Sequence, residues 1–339
     1  MTTYRRLVLL ALALTLVVVV FGAYVRLSDA GLGCPDWPGC YGQLSPAHAA
    51  SEIAEAASLS PDGPVTLPKA WKEMIHRYLA ATLGLIILVI AALAVRLRRE
   101  PGVSPGVALA LVGVVIFQGL LGKWTVTLLL KPAIVTGHLL GGLTTLALLA
   151  WLALRAVGAR RHVVSSGLVR LARLGLLLVI AQIVLGGWTS TNYAALACTD
   201  FPTCHGSWWP QMDVANAFHV VRELGMTPDG APLSIEALTA IHWAHRIGAL
   251  VLSGALLVLA VALVGAGFAG MGALVLLALL VQAGLGIANV MWLLPLPLAV
   301  AHNAGAALLL LTMIMVNARL APRGVRGWAG RRNNENAYA

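Results

Sequence analysis

Long apolar runs alternate with short polar segments along this chain, and the runs set its architecture. Eight of them fall at roughly 7–25, 72–95, 106–127, 132–154, 171–190, 236–263, 270–292 and 297–318. Each is close to the ~20 residues that carry a helix across a bilayer core. The pattern predicts an all-α polytopic membrane protein with eight transmembrane helices. The first run stands where a secretory leader would. It is longer than a leader's apolar region, lacks a small-residue cleavage site and has an internal counterpart near 171–190, so it reads as a retained span.

Composition agrees: 59% of the 339 residues are hydrophobic, 11% are charged and the mean hydropathy is +0.86. The net charge of +10 could suggest a nucleic-acid surface, but its distribution excludes that reading. With the N-terminus placed inside, the inner segments hold fifteen of the 23 basic residues, from Arg5 and Arg6 to Arg331 and Arg332, against Glu100 and Glu335. Positive residues mark the cytoplasmic side, so both termini are expected there. The basic excess is topology, and membrane lipid is the surrounding partner.

The chain is also one unit written twice. Glu73-Met-Ile-His76-Arg77 returns as His242-Trp-Ala-His245-Arg246 at an offset of 169 residues. Gln118-Gly-Leu-Leu-Gly, ahead of His138, returns 164 residues later as Gln282-Ala-Gly-Leu-Gly, ahead of His302. Cys34 and Cys40 return as Cys198 and Cys204, again at 164. Two pseudo-symmetric four-helix bundles are therefore expected, over 1–158 and 159–320, followed by a basic cytoplasmic tail over 321–339. The Arg-rich connector 155–173 is the boundary, with His162 read as a solvated loop residue. A short interfacial helix is expected within 214–224, and His48 and His219 read as loop histidines.

All four cysteines lie in the two long outer loops, which suits an oxidising compartment and one disulfide per loop, Cys34–Cys40 and Cys198–Cys204. A loop staple is the plain reading. A thiol pair open to exchange, or a zinc site using His205 beside Cys204, are the alternatives.

The histidines carry the chemistry. His76 comes about 7 Å of helix inside the second run and His138 about 9 Å inside the fourth, so the two share a depth. Glu73 and His76 share a helix face. Ionisable groups there are costly unless they meet a polar partner or a ligand. Gly137, Gly141 and Gly142 clear space around His138 for something broad. Two inward histidines from facing helices are how bundles hold heme, one imidazole on each side of a flat ring. Arg77 and Arg246, at the outer rim, are placed to pair with propionates. The second half lacks the carboxylate, since His242 stands where the first half has Glu73.

This constellation resembles the heme A synthase family over nearly all of 1–320, in the bacterial form with cysteine pairs in the outer loops. The resemblance implies oxidation of a peripheral methyl of heme O to the formyl group of heme A, for assembly of terminal oxidases in a bacterial plasma membrane. It implies that His245 and His302, with Arg246, bind a heme b cofactor. It implies that His76 and His138, with Arg77, hold the substrate heme O toward the outer face, beside Glu73 as an essential carboxylate. Heme O synthase and an electron donor are the implied candidate partners, and a homo-oligomer the candidate assembly. Two other classes compete: a membrane heme carrier without chemistry, and a cytochrome b passing electrons to quinone. Glu73, unmatched in the second half, favours the enzyme over two equivalent electron-transfer sites.

Overall fold

A computed structural model describes residues 1–60 and 63–322. All eight apolar runs are long helices: α1 (Thr2–Leu27), α3 (Leu67–Arg96), α4 (Pro105–Thr127), α5 (Pro132–Ala156), α6 (Ser166–Thr191), α8 (Ile235–Gly265), α9 (Ala269–Met291) and α10 (Leu296–Arg319). A helix meets its backbone hydrogen-bonding needs within itself, which an apolar bilayer demands. Prolines in the first turn open α3, α4, α5 and α10, where a missing N–H costs nothing. Ser165 and Ser234 open α6 and α8, accepting from the amides of Leu168 and Ala237.

Several elements differ from the sequence expectation. A helix α2 (Ala50–Leu59) lies in the first long loop and buries Ile53. The helix expected within 214–224 is only α7 (Val214–Ala217). α3 begins at Leu67, so His76 sits deeper from its helix start than a span opening near Trp71 would place it. Two short strands, β1 (His162–Val164) and β2 (Leu320–Pro322), pair in parallel and tie the connector to the end of α10. His162 is therefore no free loop residue: it belongs to β1, and its ring meets Phe268 edge-on at 5.0 Å between centroids. The basic tail lies outside the described residues from position 323 onward.

Neighbouring helices follow one another in space. α1 packs on α3, α3 on α4, α4 on α5 and α5 back on α1; α6, α8, α9 and α10 repeat that circuit. One buried apolar cluster gathers Tyr4, Val8, Ile87, Ile90 and Leu149. Another gathers Val179, Leu256, Leu259, Leu310 and Met313. α1 packs on α10, and α5 on both α6 and α10, which joins the two circuits. Gly187 on α6 lets Thr136 and Leu139 on α5 approach so closely that a Cβ would lie 3.3 and 3.1 Å from their side chains. Beside it the Thr136 and Thr191 hydroxyls hydrogen-bond at 3.1 Å.

The backbone repeats as the sequence does. Among the described residues, the non-glycine positions with positive φ are Asp29 and Tyr193, Tyr41 and His205, Leu129 and Leu293, and Leu130 and Leu294. Every pair is separated by 164 residues. The turns that join α4 to α5 and α9 to α10 are therefore the same turn, and they deliver His138 and His302 from equivalent starting points.

Candidate heme sites

α3 and α5 bring His76 and His138 together, with ring centroids 6.4 Å apart and planes at 78°. Two metal–nitrogen bonds of about 2 Å each, in line through one metal, set imidazole centroids roughly 6 Å apart. The pair thus has the spacing of two axial ligands. His245 on α8 and His302 on α10 occupy the equivalent positions of the second half. The Nδ1 atoms of His76, His138 and His302 are buried without a hydrogen-bond partner among the described residues. Buried polar atoms are normally partnered, and orphans at a paired site point to a ligand.

Each ring is also given room. A Cβ on Gly22 would lie 2.8 Å from the His76 Cε1, one on Gly122 3.4 Å from that of His138, one on Gly186 3.0 Å from that of His245 and one on Gly286 3.1 Å from that of His302. Four histidines thus rest against four glycines on adjacent helices. The glycines named from the sequence around His138 do different work: Gly141 faces Gln118, and Gly137 faces Leu121. Around His76 and His138 the residues present fit a porphyrin held between two imidazoles, and the second half repeats the histidines and the glycines behind them.

Glu73 is 5% exposed and acts locally as an anchor. Its Oε2 accepts from the Cys34 amide at 3.0 Å, and its Oε1 pairs with the Arg77 guanidinium. Arg77 Nη1 donates to the carbonyls of Asp36, Pro38 and Gly39. His242 repeats the anchor, with Nδ1 3.2 Å from the Cys198 amide and Nε2 3.2 Å from Arg246 Nε. Arg246 Nη1 donates to the carbonyls of Asp200 and Thr203, and Nη2 to that of Cys198. Both arginines, read from the sequence as propionate partners, spend these donors on holding the disulfide loops over the helix ends.

Both disulfides are formed, Cys34–Cys40 and Cys198–Cys204, and all four sulfur-bearing residues are fully buried. Cys204 therefore offers no thiolate to zinc, and His205 Nε2 lies instead 3.3 Å from the Thr239 hydroxyl. In the first loop the Asp36 carboxylate accepts from the Tyr41 and Gly42 amides; in the second, Asp200 accepts from His205 and Gly206. Gly206, Thr203 and His205 hold the Asp200 carboxyl well below the usual carboxylate range by hydrogen bonding to its charged form.

Sequence reasoning used Gln118 and Gln282 only as marks of the repeat, and missed Gln182 and the contacts of all three. Gln118, Gln182 and Gln282 each direct an amide at an inward histidine. The signal was present: Gln182-Ile-Val-Leu-Gly186 has the same spacing as the two motifs already compared.

Comparison with known proteins agrees with this geometry. A family model described as cytochrome oxidase assembly protein, COX15-CtaA, matches residues 5–314. A protein of Shewanella oneidensis named heme A synthase is 46% identical over 313 residues, covering 91% of this chain and 94% of its own length. One of Caulobacter vibrioides with the same name is 30% identical, covering 88% of this chain and 90% of itself. Another, of Methylobacterium radiotolerans, is 29% identical with 94% of both covered. With a family match from the first helix to the last, and with its histidines paired across facing helices, this chain belongs to the COX15-CtaA family of cytochrome oxidase assembly proteins.

Proposed function

We propose that this protein is a heme A synthase, a membrane oxidoreductase that converts a peripheral methyl of heme O to the formyl group of heme A. The observation that carries the reading is the His76–His138 pair at 6.4 Å, backed by glycines, in a chain this similar to proteins of that name. The two halves, 1–158 and 159–320, are read as pseudo-symmetric bundles with one porphyrin each. His76 and His138 hold the substrate, and His245 and His302 hold a resident heme b. Both sites lie at the helix ends that carry the disulfide loops. The charge distribution supports reading that end as the outer face of a bacterial plasma membrane, with both termini in the cytoplasm. Heme O synthase is the natural supplier; oxygen is the oxidant, and a membrane electron donor supplies the electrons that its reduction to water consumes.

When bound, heme iron supplies the oxygen and electron chemistry that an unactivated methyl requires. The chain's own residues do the rest. The four imidazoles fix each ring at a set depth. The glycines admit it, and the disulfide loops, clamped by Arg77 and Arg246, close the end of each bundle and exclude water. Glu73 is the ionisable carboxylate nearest the first pair in sequence, one helical turn from His76, and is positioned to give or take a proton at the outer edge of that site. The second half has an imidazole in its place, which supports a division into working and supporting sites.

The test is conversion. Purified protein in detergent, supplied with heme O, a reductant and oxygen, should yield extractable porphyrin bearing a formyl group. Glu73→Ala should keep heme and lose conversion. Heme that binds and returns unchanged from the unsubstituted protein would make this a carrier instead.

A further inference from the structure

The four histidine–glycine contacts are not equally supported. Four residues before Gly122 on α4, Gly186 on α6 and Gly286 on α9 stand Gln118, Gln182 and Gln282. Four residues before Gly22 on α1 stands Val18. On the histidine-bearing helices, Gly141, Gly248 and Gly305 come three residues after His138, His245 and His302, whereas Leu79 follows His76. These glycines are what seat the amides: a Cβ on them would fall 2.2, 2.3 and 2.3 Å from the Oε1 of Gln118, Gln182 and Gln282. The device thus takes two helices, one giving glutamine and glycine and the other histidine and glycine. It is complete around three histidines and absent around the fourth.

Its strength is graded. Gln182 Nε2 lies 2.9 Å from both the Nδ1 and the carbonyl oxygen of His245. Gln282 Nε2 lies 3.3 Å from the Nε2 of His302, so its amide meets the opposite ring nitrogen and leaves Nδ1 without a partner among the described residues. Gln118 Nε2 donates at 2.8 Å to the carbonyl of His138 and leaves the ring alone. Among the described residues His76 has no such partner, and the Phe21 ring lies 6.5 Å from it between centroids. Among the described residues and the inward histidines, amide contacts to an imidazole ring therefore occur only in the second half. Each amide's Oε1 is buried without a partner among the described residues. A half turn of Gln182 would bring its oxygen to the ring, as is needed when Nδ1 carries the proton and the other nitrogen the metal. In either orientation the amide fixes the plane of the ring.

We propose that Gln182 and Gln282 are positioning residues that lock the imidazoles of the second half, and that the lack of such an amide at Val18, with Leu79 in place of its glycine, makes His76 the ligand that can turn and let go. The consequence is kinetic. The first half exchanges its porphyrin, as a site that admits substrate and discharges product must, while the second half retains its own. This rests on the reading that both halves hold a porphyrin between two histidines. It adds which ligand releases, and the residues that decide it.

Two substitutions act in opposite senses. Gln182→Val gives the second half the residue of the first. Val18→Gln with Leu79→Gly gives the first half the missing device. The protein is loaded with heme in detergent and mixed with excess apomyoglobin, and loss of heme is followed by its absorbance. Unsubstituted protein should release heme in a fast and a slow phase, and His76→Ala should abolish the fast one. Gln182→Val should speed the slow phase about tenfold or more, and the double substitution should slow the fast phase by a similar factor. Each should also change the low-spin electron paramagnetic resonance signal of the half it alters. Loaded variants with both phases unaltered would overturn the proposal. Unsubstituted protein that takes up no heme would instead overturn the two-porphyrin reading beneath it.

Discussion

The Tyr193 hydroxyl donates a 3.2 Å hydrogen bond to Asp29, and these two residues stand 164 positions apart, the interval that separates Cys34 from Cys198 and His138 from His302. Arg26 repeats the relationship, since its Nη2 donates at 3.2 Å to the carbonyl of Ser190, its own counterpart at the same interval. Residues that touch their own repeat equivalents gather where the two copies meet. The Arg26 guanidinium also lies 4.1 Å over the Tyr193 ring. Arg26→Ala removes a charged hydrogen bond and a cation–π contact, and should cost about 1–2 kcal/mol. Reversible unfolding in detergent measures it; an unshifted transition would mean that the cluster does not hold the halves together.

Glu73 carries a structural consequence separable from any chemistry. Losing the acceptor for the Cys34 amide and for Arg77 should release the first disulfide loop. A hydrogen bond to a charged group is worth about 1.5–3 kcal/mol, so local opening should become roughly ten to a hundred times more frequent. In Glu73→Ala the Cys34–Cys40 bond should therefore be reduced faster by that factor, with Cys198–Cys204 unaffected. Thiol labelling during a reductant time course reads both. Equal rates for the two bonds would show that the carboxylate does not anchor the loop.

The second loop should respond to acid through Asp200. Its folded pKa lies below the ordinary value because the Gly206 amide, the Thr203 hydroxyl and the His205 amide all donate to the carboxylate. A depressed carboxyl stabilises the folded state above its unfolded pKa, about 3.9, and loses that effect as pH falls toward the lower folded value. The difference in melting temperature between the unsubstituted protein and Asp200→Asn should be constant from about pH 7 to 5 and narrow below about pH 4. A gap that widened on acidification would contradict the hydrogen-bonded carboxylate.

Gly22 should tolerate nothing larger. A Cβ there would come within 2.8 Å of the His76 ring, so Gly22→Ala must push the imidazole aside or move α1. Heme content should drop by about one equivalent per chain in the two-porphyrin reading, with the thermal transition little changed. Gly113, whose Cβ would meet nothing within 4 Å, is the control: Gly113→Ala should keep full heme content.

Much of this was legible along the chain. Eight apolar runs give eight helices because run length and hydropathy are local quantities, and a bilayer leaves a long apolar run little choice but to be a helix. The duplicated motifs located the four inward histidines, the cysteine pairs and the Glu73–His242 asymmetry without any coordinates. Even the turn positions repeat, because Leu129-Leu130 and Leu293-Leu294 answer the same geometric demand in each copy.

What the sequence left undecided is what depends on lateral neighbours. Gln182 stands 63 residues from His245, and no periodicity along α6 shows that its amide meets an imidazole on α8. Arg77 and Arg246 look like free rim cations until the loop carbonyls they hold are in place. β1 and β2 are three residues each and pair across most of the second half, too short to register as strands before the chain has folded. Hydrophobicity determined which segments cross the membrane. Only packing decided which side chain each helix turns toward the next, because that choice rests on contacts between positions far apart in the chain.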